Sequence, residues 1–343
     1  MVTAGYDVGG AHLKVALAEG GTVTAVGQIA CPLWEGVERL DEAMRAARPL
    51  IERAQHHAVT MTGEMCELFP DRKSGVLALT DRLELLLGKD LRVYMGPRGF
   101  GSVQEARVDP AAVGSMNFFA TAECAARHIR NALVIDMGST TTDIIAVVAG
   151  RAVAHGLNDG DRLATGELVY TGLTRTDVSV VAGEARLQTR TQRLAAGNFA
   201  NMADVRRVLG GLPDGVDQHR TADGRGTSLE ESLARFARCF GRDRADATLE
   251  EWRAAAREIA DRQMHEILKA VGEVVAVTPL PDDAPIISAG IGAEAVTELA
   301  TELNRPSRTF GDLIGAAEDC RTWATRCAPA SSVAMLAHRD GDG

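Results

Sequence analysis

Ala132-Leu133-Val134-Ile135-Asp136-Met137-Gly138-Ser139-Thr140-Thr141-Thr142-Asp143-Ile144-Ile145-Ala146 is the stretch that decides how this chain folds. Leu133–Ile135 and Ile144–Val148 are short apolar runs with a bulky β-former at most positions, so they read as two buried strands. The turn between them, Asp136 to Asp143, sets a carboxylate at the end of the first strand, then a glycine that lets backbone approach a ligand closely, and four hydroxyls. Backbone N–H groups and hydroxyls of such a turn hold phosphate oxygens, while an aspartate holds a metal ion or its water shell. A polar hairpin turn with a capping aspartate has the same composition, so this turn alone leaves both readings open.

The chain says nearly the same thing twice. Gly5-Tyr6-Asp7-Val8-Gly9-Gly10-Ala11-His12-Leu13-Lys14-Val15-Ala16-Leu17 has an aspartate at the end of an extended segment, a glycine two residues later and then an apolar run. Asp7-x-Gly9 thus matches Asp136-x-Gly138. Paired hairpins of this kind, one opening each half, resemble the actin, sugar kinase and Hsp70 superfamily. That resemblance implies an α/β chain of two ribonuclease-H-like domains around a phosphate-binding cleft. On this reading residues of about 1–130 form the first domain and about 131–338 the second, with a helical insertion over about 185–275 and a C-terminal helix packed on the sheets. Fraying is expected after His338. Pro285-Ile286-Ile287-Ser288-Ala289-Gly290-Ile291-Gly292 supplies the superfamily's third element, implied to lie near a nucleotide's adenosine.

Composition excludes several partners. The chain has 343 residues, 45% hydrophobic and 24% charged, which is ordinary for a globular protein and long enough for two cores. A formal net charge of −10 argues against non-specific nucleic-acid binding and against lying on an anionic membrane. No apolar run approaches the roughly 18 residues that a membrane helix needs. Met1–Leu13 lacks the basic start of a secretory signal and is interrupted by Asp7 and glycines, so the chain reads as cytoplasmic. Its six cysteines have no CxxC spacing and read as reduced, mostly buried thiols. His56-His57 reads as a solvated loop.

Further along, Gly36–Gln55 reads as an amphipathic helix that Pro49 kinks, and Ala58–Met65 as a strand ending in Thr62-Gly63-Glu64. Ser74–Gly88 reads as a helix, and Ala122, Ala125 and Ala126 as core positions of a small-residue helix leading into the central hairpin. A strand, then Thr-Gly-Glu, then Phe69, Arg72, Gly75 and Val76 resembles the hydantoinase and oxoprolinase branch of the superfamily. Tyr170-Thr171-Gly172-Leu173-Thr174-Arg175-Thr176 matches the same branch's Tyr-x-Gly-x-x-Arg-Thr, and Ala203-Asp204-Val205-Arg206-Arg207-Val208-Leu209-Gly210 its Ala-Asp-Val helix. Arg175 is a candidate for meeting an anion bidentately; a surface pair with Asp177 is the alternative.

Full-size members of that branch are far longer than this chain. At this length, the same motifs resemble the compact group linked to the tetrahydromethanopterin one-carbon transfer pathway. The resemblance implies a transferase of methylofuran biosynthesis, forming an aryl ether from an aminomethylfuran methyl diphosphate and a (glutamyl)tyramine- or tyrosine-type phenol, with release of diphosphate. The first motif departs from the superfamily's Asp-x-Gly-x-Thr, with Ala11 where Thr is usual and Lys14 added, which fits a phosphate other than that of an ordinary ATPase. Magnesium held by Asp7 and Asp136 is then expected, with Gly9, Gly10, Lys14, Gly138, Ser139, Thr140, Arg175, Gly290 and Gly292 as phosphate contacts. Because a phenol's pKa is about 10, a base is needed as well, and Glu64 and Asp204 are the candidates. The competing readings are an ATP-dependent kinase or amidohydrolase using the same loops, and a non-catalytic nucleotide-binding scaffold.

Overall fold

Alternating apolar strands and amphipathic helices arrange themselves here around two sheets. The structure, a computed structural model of the chain, describes residues 1–340, and the residues after them lie outside the described part. The first sheet is built from β1 (Val2–Val8), β2 (His12–Glu19), β3 (Thr22–Ala30), β4 (His56–Met61), β5 (Arg92–Tyr94) and β6 (Phe100–Ser102), in the order β3-β2-β1-β4-β5-β6. β1, β2 and β3 form an antiparallel meander, whereas β4 lies parallel to β1 and β5 parallel to β4. An antiparallel 3-2-1 followed by parallel 4 and 5 is the ribonuclease-H-like arrangement. The parallel step requires a crossover, which the helix Glu38–Ile51 supplies.

The second half repeats the arrangement. β7 (Ala132–Met137) and β8 (Thr142–Val148) are the two strands of the quoted stretch, paired antiparallel with Asp136 opposite Asp143. The place of a third strand is shared by β9 (Arg151–Val153), on the far end of β8, and β10 (Leu168–Val169), on its near end. Between them the chain makes the helix Asp159–Thr165, capped by Asn158, and this detour carries Asp159 and Arg162 to the sheet's edge. After the separate hairpin of β11 (Glu184–Leu187) and β12 (Arg190–Arg193), the sheet is completed by β13 (Ile286–Ala289) and β14 (Ser307–Thr309), both parallel, in the order β10-β8-β7-β13-β14. The structure is therefore a pair of ribonuclease-H-like units.

Between the two sheets run the helices Asn117–Ala126 and Ala328–Asp340, and the core they share joins Ala16 and Tyr94 of the first sheet to Val134, Ile145 and Ile287 of the second. Small residues permit this closeness: a Cβ on Gly5 of β1 would come within 2.2 Å of the Ala330 carbonyl oxygen. Ala122 and Ala125 are buried in that layer.

The segment between β10 and β13 has its own core of Phe236, Phe240 and Trp252. Its helices begin where local chemistry dictates: Ser228 with Glu231, and Thr248 with Glu251, form capping boxes that satisfy orphan N–H groups at Leu229–Cys239 and Leu249–Val277. The segment also contains the β11–β12 hairpin and is therefore not helical throughout. His56 and His57 are not in a loop; they open β4, and the His57 ring is hydrogen-bonded to the Tyr6 hydroxyl at 2.8 Å. Strand pairing with Thr3 and Ala4 wins there over the polarity of two histidines.

Candidate active site between the two sheets

Both aspartate turns close in the same way. The Gly9 N–H donates to the His12 carbonyl at 2.9 Å, and the Gly138 N–H donates to the Thr141 carbonyl at 2.9 Å. Each turn hangs from the end of the first strand of its sheet, so the twofold repetition in the sequence becomes two walls of one cleft. The cleft encloses about 270 Å³, and Asp7, Gly9, Gly10 and Lys14 line it from one side and Asp136, Gly138, Ser139 and Thr140 from the other. Gly172 lies against the backbone of Ser139 and Thr140, and the Arg175 N–H donates to the Ser139 carbonyl at 2.9 Å, so the Tyr170–Thr176 segment braces the second turn.

The charges at the base of the cleft are crowded. Lys14 stands opposite Asp7 across β1 and β2, its Nζ 3.2 Å from the carboxylate. Burial works against the Lys14 charge, but the neighbouring Asp7 and Asp136 carboxylates outweigh it and hold the ammonium above its ordinary range. Burial pushes Asp136 up to about 7; Lys14 pulls it down, while Asp143 and Asp7 add to the rise. Asp143 is likewise raised by burial, against the pull of the Arg162 guanidinium to which it is hydrogen-bonded. That guanidinium is buried and lies over the Phe118 ring at 3.5 Å.

Asp7 Oδ1 is buried with no hydrogen-bond partner, which leaves an unused acceptor at the cleft floor. Among the described residues no three His, Cys, Asp or Glu side chains gather as a metal cage. Magnesium needs no such cage, since it is commonly bound through one or two carboxylates and substrate phosphates. Asp7 and Asp136 fit that manner of binding.

The remaining candidates divide. Arg175 lines the cleft with its guanidinium 5.2 Å over the Trp34 ring of the first half, and no Arg175–Asp177 ion pair is present among the described residues. Gly290 and Gly292 are not part of the cleft wall. They pack behind it: Ala289 is in register with Asp136, and a Cβ on Gly290 would lie 2.4 Å from Asp136 Oδ1, while one on Gly292 would lie 2.5 Å from the Met137 sulfur. Their role here is to let β13 approach the Asp136 turn. Glu64 is buried beneath the cleft and reaches it through Ser115, whose hydroxyl donates to Glu64 Oε1 at 2.8 Å.

Asp204 as a base is corrected by the structure. Its carboxylate is buried, accepts from the Arg235 guanidinium at 2.7 to 3.1 Å and caps its own helix with Asn201, leaving it no access to the cleft. Spacing placed it on a helix face; it could not say that the face turns toward Arg235.

Several cleft residues escaped the sequence reading. Asp143 lay inside the quoted stretch, and its position opposite Asp136 follows once the hairpin register is known. Asp159 and Ser115 come from segments with no motif. His12 meets His219 edge-on at 4.5 Å between ring centroids, and Trp34 adds a third ring 5.9 Å from His219. Since His219 belongs to the long segment between β10 and β13, only the folded chain brings it to His12.

Comparison with known proteins accords with this architecture. The chain is 28% identical over 301 residues, 88% of its length and 89% of the relative's, to the (4-{4-[2-(gamma-L-glutamylamino)ethyl]phenoxymethyl}furan-2-yl)methanamine synthase of Methanocaldococcus jannaschii. It is 29% identical over 207 residues, 60% of this chain and 90% of the relative, to the synthase of the same name from Methanococcus vannielii. Among solved structures, nucleotide-free acetone carboxylase superposes over 97% of this chain and 70% of its own with a TM-score of 0.55 at 11% identity, a likeness of fold alone. No helix among the described residues is long and apolar enough to cross a membrane. Residues 57–310, which hold the Thr-Gly-Glu, Tyr-x-Gly-x-x-Arg-Thr and Ala-Asp-Val motifs, match the hydantoinase/oxoprolinase family, and the chain belongs to that family.

Proposed function

We propose that this chain is an alkyl transferase of methylofuran biosynthesis, which joins an aminomethylfuran methyl diphosphate to a tyramine-, glutamyltyramine- or tyrosine-type phenol and releases diphosphate. The observation that carries the reading is the likeness over 88% of the chain to a synthase whose product name contains the phenoxymethylfuran ether. The cleft supports it, because two glycine turns, Lys14 and Arg175 face a space bounded by buried carboxylates.

In this reading the first domain, up to about residue 130, and the second, from about 131, each present one turn to the diphosphate. N–H groups of Gly9, Gly10 and Gly138 and the hydroxyls of Ser139 and Thr140 take its oxygens. Lys14 and Arg175 supply positive charge. Asp7 and Asp136 would hold magnesium, which when bound neutralises charge building up on a departing diphosphate. The phenol oxygen attacks the furanylmethyl carbon; the carbon–oxygen bond to diphosphate breaks and its electron pair leaves with the diphosphate. Fixed donors aimed at that oxygen are the largest electrostatic contribution the chain itself can make.

The test is product formation. Purified protein, furanylmethyl diphosphate, magnesium and tyramine should give the ether by mass spectrometry, with no requirement for ATP. ATP hydrolysis without any ether from tyramine, glutamyltyramine or tyrosine would transfer the assignment to an ATP-dependent enzyme.

A further inference from the structure

Ether formation at neutral pH has to dispose of the phenol proton, and of the carboxylates lining the cleft Asp159 is ion-paired with Arg72 while Glu67 is exposed to solvent. Asp7 and Asp136 are committed to the diphosphate end, and Asp143 is tied to Arg162. Ser115 is different. It lines the cleft and is only 4% exposed. Its backbone is in the left-handed region at φ 57°, a conformation that is strained for a non-glycine residue and clusters at functional sites. The pairing of Gly114 with Met61, at the end of β4, fixes that conformation in place.

Behind Ser115 stands Glu64. One oxygen, Oε1, accepts the Ser115 hydroxyl at 2.8 Å; the other, Oε2, is buried with no partner. The helix beginning at Arg72 presses directly on it, since a Cβ on Gly75 would come within 2.3 Å of the Glu64 carbonyl oxygen, and a Cβ on Gly114 would lie 3.0 Å from Oε1. The charged groups facing Glu64 are Arg72 and Asp159, which are ion-paired with each other at 2.9 Å across the two halves. Asp159 Oδ2 is also 3.4 Å from the Ser115 hydroxyl. Burial, partly offset by the Ser115 hydrogen bond, pushes the Glu64 carboxyl up to about 7. A group so poised suits proton transfer at neutral pH.

We infer that Ser115 is the proton relay of this site, taking the phenol proton while handing its own to Glu64. The inference rests on the transferase reading above. In the step, the phenol O–H bond breaks as its proton passes to Ser115 Oγ, and the original Ser115 proton passes to Glu64 Oε1. The phenolate oxygen then bonds to the furanylmethyl carbon and diphosphate leaves, so the chain ends with Glu64 protonated and Ser115 restored. Ser115 is the group that touches the substrate; Glu64 acts through it.

The experiment compares two phenols on three proteins. Ser115→Gly removes the hydroxyl and suits the left-handed backbone, and Glu64→Gln keeps the shape of the side chain while removing its basicity. With tyramine, both variants should form ether at least about a hundredfold more slowly than the parent. With a ring-nitrated tyramine, already largely ionised at pH 8, no proton needs removal, and both variants should come within about threefold of the parent. Equal losses on the two phenols, or no loss on tyramine, would overturn the relay while leaving the transferase reading standing. A parent protein that makes no ether from either phenol, nor from glutamyltyramine or tyrosine, overturns both.

Discussion

The pair of rings that joins the two halves should make the protein sensitive to acid in a way that one substitution about halves. His12 is 5% exposed and meets His219 edge-on, and each has a buried Nε2 with no hydrogen-bond partner. Burial, the opposing His219 ring and the Lys14 and Arg175 charges push His12 down to about 2, and burial with Arg175 pushes His219 down to about 4, against a pull from Asp217. An unfolded chain takes up these protons near 6.5. Because the folded values are depressed, the stabilisation is complete above pH 6.5 and is lost as pH falls toward the folded values. Between pH 7 and pH 4.5 each ring forfeits about 2 units at 1.36 kcal/mol per unit, or about 2.5 kcal/mol. His219→Phe keeps a flat ring against His12 and Trp34 but cannot titrate. Urea unfolding at pH 7 and pH 4.5 should therefore show the parent losing about 2–3 kcal/mol more on acidification than the variant, with equal slopes in urea. Carboxylates contribute to both proteins alike and cancel in the difference. An identical acid loss in parent and variant would refute the neutral histidine contact.

Lys14→Met and Arg175→Gln should each weaken diphosphate binding by about 1.5–3 kcal/mol in calorimetric titration with magnesium present, and unchanged affinity in both would remove these cations from the site. Gly290→Ala places a methyl 2.4 Å from Asp136 Oδ1 at a backbone φ of 79°. Magnesium-dependent diphosphate binding should fall about tenfold or more as Asp136 is displaced, and retention of full affinity would show that β13 does not set that carboxylate. Asp204→Ala leaves Arg235, 0% exposed, without its main partner and should cost about 3–5 kcal/mol in unfolding free energy while the folded protein still makes ether. Loss of ether formation at unchanged stability would return Asp204 to the catalytic candidates.

Much of the fold could be read from residues because its decisive pattern is local and repeated. An aspartate at a strand end, a glycine two residues on and an apolar return strand fix a hairpin whatever surrounds it, and Asp7 and Asp136 both arrive in the cleft on that account. The Lys14–Asp7 contact is similarly local, being a cross-strand pair. What escaped depends on tertiary approach. A Gly290 motif reads as ligand-facing, yet its glycines are small so that β13 can press against Asp136 and Met137. Asp204 and Glu64 are equally acidic in sequence, and only packing decides that one is closed off by Arg235 while the other reaches the cleft through Ser115. Ser115 itself has no motif; its significance lies in a backbone angle and a neighbour 51 positions away.

The most direct test of the central claim follows one oxygen atom. Tyramine labelled with oxygen-18 at the phenol, incubated with furanylmethyl diphosphate, magnesium and the purified protein, should give an ether that retains the label and diphosphate that contains none. Direct attack of the phenol oxygen on the furanylmethyl carbon requires that distribution. Label in the released diphosphate, or an ether lacking it, would contradict direct alkyl transfer in this cleft.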